Sequence, residues 1–186
     1  ELKSDTIYDM ENLTGGAGND TLTGNTSKNT LIGGAGDDTL VSFGGTGNVL
    51  DGGTNTTGAG GGDWVDYSIR DANLTASPLK LNMSSVDANG YATANLGALH
   101  DKLIRIENIK GTLNADTIAG NSGDNTLNAH GGIDNILIGS GGNDYLIGSS
   151  GGKTTFKAGI VATDGTFTLS SGDDGSNTYV GDGSDN

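Results

Sequence analysis

Asp20 and Asp38 close two near copies of one run, Gly15-Gly16-Ala17-Gly18-Asn19-Asp20-Thr21-Leu22-Thr23 and Gly33-Gly34-Ala35-Gly36-Asp37-Asp38-Thr39-Leu40-Val41, 18 residues apart. Between them Gly24-Asn25-Thr26-Ser27-Lys28-Asn29-Thr30-Leu31-Ile32 keeps the frame, with Asn at the sixth place. A Gly-rich hexapeptide turns tightly, and a polar–apolar–polar triplet makes a short strand with one side chain facing inward. Two such nonapeptides complete one turn of a coil. Residues 18 apart then stack at the strand spacing of about 4.8 Å. Two carboxylates held that close repel one another unless a cation lies between them. Ca2+ takes about 6–8 oxygens and favours carboxylates and carbonyls, which Gly-rich loops leave accessible. Divalent-cation binding is therefore the chemistry this spacing offers. A solvated Asx-turn would also place Asp in such a loop, but it does not account for the recurring frame with its apolar residue in register.

The frame Gly-Gly-x-Gly-x-Asp-x-U-x, with U a large apolar residue, resembles the RTX (hemolysin-type) calcium-binding repeat of bacterial proteins exported by type I secretion. The resemblance implies Ca2+ as cofactor. It also implies a ligand set: second- and fourth-position carbonyls plus Asp from the lower loop, first- and third-position carbonyls plus Asp from the upper. Here these are Gly16, Gly18 and Asp20 with Gly33, Ala35 and Asp38. The pattern occurs twice. Met10-Glu11-Asn12-Leu13 returns as Ile106-Glu107-Asn108-Ile109, an offset of 96 that carries Asp20 to Asp116, Asn29 to Asn125, Asp38 to Asp134 and Asn48 to Asp144. The implied ligands of the second copy are Thr112, Asn114 and Asp116 with Ala129, Gly131 and Asp134. On its opposite side Asn121, Gly123, Gly139 and Gly141 join Asp144, with one residue inserted near Ile138 and a single carboxylate to lower the affinity. Asn29 and Asn48 carry no charge and are expected to be metal-free, their amides stacked as a ladder.

The elements that position these loops read as all-β: two parallel β-roll (RTX β-helix) blocks joined by an antiparallel β spacer. Residues 1–68 form the first roll with its lead-in strand and cap, 69–110 the spacer and 111–150 the second roll. Residues 151–171 form a capping hairpin around Asp164-Gly165, with Phe156 among its apolar residues, and 172–186 the start of a further repeat. In the spacer Leu79, Leu81 and Met83 alternate with polar residues, Asn89-Gly90 signals a tight turn, and Tyr91–Leu96 is the returning strand. Trp64 is expected to cap the open end of the first roll. The closing Gly181-Asp182-Gly183-Ser184-Asp185-Asn186 reads as a repeat cut short, and the chain as a section of a longer protein.

Composition narrows the function. The net charge of −14 disfavours nucleic acid and anionic membranes and suits divalent cations. With 35 Gly, one Pro and 32% apolar residues, a metal-free core would be thin. Without cysteine there are no disulfides or thiolate metal sites. Catalysis is not expected: no His-Glu-x-x-His occurs, His100 and His130 stand alone, and the Gly-rich loops lead into strands rather than the helix a phosphate loop needs. The leading expectation is a non-catalytic module of a secreted, cell-surface adhesin, partnered by calcium and, during export, by the type I secretion machinery, with no nucleic acid and no membrane insertion. The alternatives are an ancillary module of a secreted protease, lipase or alginate epimerase, or a module binding a glycan or other surface ligand.

Overall fold

The computed structural model describes residues 11–55, 61–69, 77–149 and 152–157, together with the backbone of 178–180. Every regular element among them is a β-strand. The polar–apolar–polar triplets become three-residue strands that wind alternately onto two faces. β1 (Asn12–Thr14), β3 (Thr30–Ala35) and β5 (Val49–Thr54) stack in parallel on one face. β2 (Thr21–Thr23), β4 (Thr39–Val41) and β6 (Trp64–Asp66) do so on the other. Leu13 lies under Leu31, and Leu22 under Leu40, each one turn of 18 residues apart.

The spacer is an antiparallel meander of β7 (Leu79–Val86), β8 (Ala92–Leu96) and β9 (Leu99–Ile104). Gly90, at φ 84, supplies its first turn. Winding then resumes through β10 (Asn108–Lys110), β11 (Thr117–Ala119), β12 (Thr126–Asn128), β13 (Asn135–Ile138) and β14 (Tyr145–Ile147). It continues through β15 (Thr154–Lys157) and β16 (Thr178–Val180). One sheet runs β1-β3-β5-β9-β8-β7-β11-β13-β15 and the other β2-β4-β6-β10-β12-β14-β16. Two parallel sheets wound in this way make a β-roll. The meander interrupts only the first sheet. On the second face β6 pairs directly with β10, Val65 beside Ile109, so the rolls share a continuous sheet.

Two placements depart from expectation. Trp64 does not cap an open end. It starts β6 on the outer side of the second sheet, between Thr39 and Asn108, while Val65 fills the interior. Thr154–Lys157, expected to open a capping hairpin, lies parallel to β13 and adds a strand to the roll. The turn expected at Asp164-Gly165 lies outside the described residues.

The two sequence copies also differ in phase. β10 is the copy of β1, yet β1 lies in the nine-stranded sheet and β10 in the seven-stranded one. Nine strands separate their starts, an odd number, so the second copy begins half a turn out of step. Asp20 precedes a strand of one face, and its counterpart Asp116 a strand of the other.

The interior is a single apolar column. Leu31, Leu40, Leu50, Val65, Leu103, Ile109, Ile118, Leu127, Leu137 and Leu146 are all but inaccessible, whereas Leu113 and Ile133 stand out at 65% and 62% exposed. Deleting a core leucine loses both transfer free energy and packing. We expect Leu40→Ala to cost about 2–5 kcal/mol in calcium-saturated denaturant melts. Leu113→Ala should stay within about 0.5 kcal/mol of the parent. Equal costs would contradict the division between interior and edge.

Candidate calcium site

One recurring bond ties many of the loops to the next. The side chain that precedes a strand accepts the backbone N–H of its counterpart one turn earlier. Asp38 Oδ1 accepts from Asp20 N at 2.7 Å, and Asp63 Oδ1 from Asp38 N at 2.7 Å. On the other edge Asn48 Oδ1 accepts from Asn29 N at 2.8 Å and Asp101 Oδ1 from Asn48 N at 3.3 Å. The Asn29 and Asn48 amides bond to backbone groups and to neighbouring side chains, Asn29 Nδ2 to Asn25 Oδ1 at 3.1 Å and Asn48 Nδ2 to Asp101 Oδ1 at 2.9 Å. Asn48 Nδ2 reaches the Gly44 carbonyl at 2.8 Å.

The first acidic column is Asp20, Asp38 and Asp63. Asp38 and Asp63 are wholly buried, and the Oδ2 of each has no hydrogen-bond partner. A Cβ on Gly33 would overlap both Asp38 Oδ2 and the Gly52 carbonyl oxygen. A Cβ on Gly15 would overlap the Gly33 carbonyl oxygen and come within 2.6 Å of Asp20 Oδ2. Glycine at the first place thus leaves open a space onto which a carboxylate oxygen and a carbonyl from the next turn converge. Of the predicted ligands, Gly16 and Gly18 bond to Ala35 in this cradle: Gly16 O accepts from Ala35 N at 2.8 Å, and Gly18 N donates to Ala35 O at 2.6 Å. The structure therefore brings Gly16, Gly18, Asp20, Gly33, Ala35 and Asp38 together. It adds Asp63, which the sequence hides behind a 25-residue interval from Asp38. Among the described residues the ion pairs are Lys102–Asp87, Arg105–Asp51 and Lys110–Asp66, and none reaches Asp38 or Asp63.

Burial pushes the Asp38 carboxyl up, with Asp20 and Asp37 adding to the rise. Burial, then the charges of Glu107, Asp38 and Asp37, push Asp63 up to about 6. Such a set of hard oxygens, uncompensated and partly desolvated, fits calcium. It would be held between successive pairs, Asp20 with Asp38 and Asp38 with Asp63, together with loop carbonyls, and would supply the charge that lets the carboxylates stack. Among the described residues no three His, Asp or Glu side chains cluster, so carbonyls must complete the shell.

The second copy differs. Asp134 does not stand over Asp116. The register from β11 to β13 is 19 residues, and Asn135 takes the ladder place, accepting from Asp116 N at 2.8 Å. The inserted residue lies in the loop before Asn135, where His130, Gly132 and Asp134 all have φ near +60 to +76, rather than near Ile138. Asp134 is exposed. The loop also satisfies itself. Asp116 accepts from Thr112 Oγ1 at 2.7 Å, Thr112 N at 2.6 Å and Leu79 N at 2.7 Å. The Thr112 and Ala129 carbonyls both accept from Gly131 N, and the Gly131 carbonyl accepts from Asn135 Nδ2 at 2.9 Å. Asn114 O lies against Gly132. Amide and hydroxyl donors thus bond to several oxygens of this set, and Asn135 rather than Asp134 stands over Asp116. On the opposite edge Asn121, Gly123, Gly139, Gly141 and Asp144 are assembled. Asn125 N donates to Asp144 Oδ1 at 2.9 Å and Gly141 N to Asn121 O at 3.0 Å, around one carboxylate.

Among the described residues the two histidines stand apart from any nucleophile. His100 Nδ1 meets only Asn95 Oδ1 among its side-chain contacts, at 2.8 Å, and is exposed. Gly148-Ser149-Ser150-Gly151-Gly152 has the Gly-x-Ser-x-Gly spacing of a nucleophile elbow. That motif needs a helix after its strand, and no helix occurs among the described residues.

Oxygen-lined loops on a parallel β-roll define a calcium-binding repeat module. The family model for the RTX calcium-binding nonapeptide repeat matches in four copies, over residues 8–40, 105–136 and 131–152, and these segments are RTX repeats. Their cofactor is calcium. No curated protein matches the chain.

The raised carboxyls fix a pH dependence. Asp63 moves from 3.8 to about 6, so between those values the metal-free fold binds more protons than the unfolded chain. Its stability therefore falls as pH rises through this window and stays low above it. Asn already fills the same ladder place at Asn48 and Asn135. Asp63→Asn should therefore stabilise the metal-free fold at pH 7 by on the order of 2 kcal/mol, with little change near pH 4. The β signal of the two metal-free chains, followed by circular dichroism between the two pH values, checks this: the parent should lose it as pH rises and Asp63→Asn should lose less, and equal losses would contradict it.

Proposed function

We propose that the chain is a non-catalytic, calcium-stabilised β-roll segment of a type I-secreted surface protein, an adhesin, for which calcium is the folding switch. The observation that carries this reading is the stack of Asp20, Asp38 and Asp63, two of them wholly buried with an unpartnered oxygen. In water each carboxylate is solvated; in the roll it is not, so the metal-free fold is penalised and the ion-bound fold is not. Extracellular calcium modules bind at about 10⁻⁴–10⁻³ M, far above cytosolic free calcium. The chain stays unfolded inside the cell, passes the export conduit extended, and winds up outside. The shared seven-stranded sheet across both copies suits a structural segment more than an appendage.

At neutral pH, chelation with EGTA should collapse the β signal in far-UV circular dichroism, and millimolar Ca2+ should restore it. Asp38→Ala should raise the calcium needed for folding roughly tenfold or more, the equivalent of about 1.4 kcal/mol, while Asp134→Ala leaves it unchanged. A spectrum indifferent to calcium, or equal effects of the two substitutions, would overturn the assignment.

A further inference from the structure

The acids of the first column do not stop where the repeats do. Glu107 lies 44 residues beyond Asp63, yet the β6–β10 pairing sets it one turn above. Its Oε2 accepts from Asp63 N at 2.9 Å, the bond that links the lower loops. The cradle recurs as well. A Cβ on Gly52 would overlap the Arg105 carbonyl oxygen and Asp63 Oδ2, as one on Gly33 would overlap the Gly52 carbonyl oxygen and Asp38 Oδ2. Arg105 therefore stands where the lower turns have glycine. It holds φ 54, an uncommon angle for a residue with a side chain. Its guanidinium is drawn off to Asp51. Gly62, at φ 116, keeps the space beside Glu107 open, since a Cβ there would come within 2.9 Å of Oε2. Asp63 is wholly buried, and its Oδ2, which faces the Gly52 cradle beside the Arg105 carbonyl, has no partner.

We propose that Asp63, Glu107 and the Arg105 carbonyl form a further calcium site at the junction between the first roll and the spacer. It lies outside the nonapeptide frame and joins segments far apart in sequence. It rests on the calcium reading of the lower loops. Arg105 and Glu107 follow β9 directly, so an ion held between them and Asp63 fastens the end of the meander to the end of the first roll. The ion stabilises only the state in which both are docked. The spacer and the two rolls then unfold as one unit.

The test uses the full chain and calcium alone. Ion stoichiometry is read by equilibrium dialysis, and hydrogen exchange is followed separately for β2–β4 and for β9–β10. Glu107→Gln keeps an acceptor for Asp63 N but removes the charge. It should bind one ion fewer and lose calcium-dependent protection in β9–β10, while β2–β4 stay protected, which also shows that the variant folds. Glu107→Asp should restore the ion. Unchanged stoichiometry and protection in Glu107→Gln, with Asp38→Asn still losing an ion, would overturn the junction site alone. A parent chain that takes up no calcium would overturn both readings.

Discussion

A carboxylate that recurs once per turn of a parallel coil meets its own copy about 4.8 Å away. Everything distinctive in this chain answers that constraint. Where both partners are acids, the loop is glycine-rich and open, and buried oxygens are left for an ion, as at Asp38 and Asp63. Where the acid is replaced by Asn, the amide fills the same space with its own N–H groups, as Asn135 does over Gly131. The ladder geometry is the same in both cases. The charge is what differs between them.

The two solutions are unevenly distributed. The first edge collects Asp20, Asp38, Asp63 and Glu107 in sequence up the stack. The other collects Asn29 and Asn48, with Asp101 above them held by Ser42 Oγ at 2.7 Å and Asn48 Nδ2 at 2.9 Å. A roll built in this way has an acidic edge with buried, unpartnered oxygens and an edge whose side chains are hydrogen-bonded within the protein.

Much of this was legible in the residues. The nonapeptide frame gave the strands, the inward leucines and the Asp20–Asp38 pair, because turn chemistry and periodicity are local. The alternation at Leu79, Leu81 and Met83 gave the meander. What stayed hidden depended on long separations. Asp63 and Glu107 join the column across intervals of 25 and 44 residues, where the frame is broken and only the pairing of β4, β6 and β10 restores it. Asp134 looked equivalent to Asp38 by a constant offset. One residue inserted in its loop moved it to the surface and put Asn135 in its place. Glu107 had been visible as an echo of Glu11, but the half-turn change of phase, which no residue type announces, carried it to the opposite edge.

The bonds between successive turns run both ways. Asp38 Oδ1 accepts from Asp20 N while Thr39 N donates back to the Asp20 carbonyl, and the same exchange recurs where Asp63 and Trp64 stand over Asp38 and where Asp144 and Tyr145 stand over Asn125. Each turn thus offers its neighbour both a donor and an acceptor. An end turn leaves one of each open to water whichever end it is, so the coil can be lengthened by a further repeat at either end on the same terms.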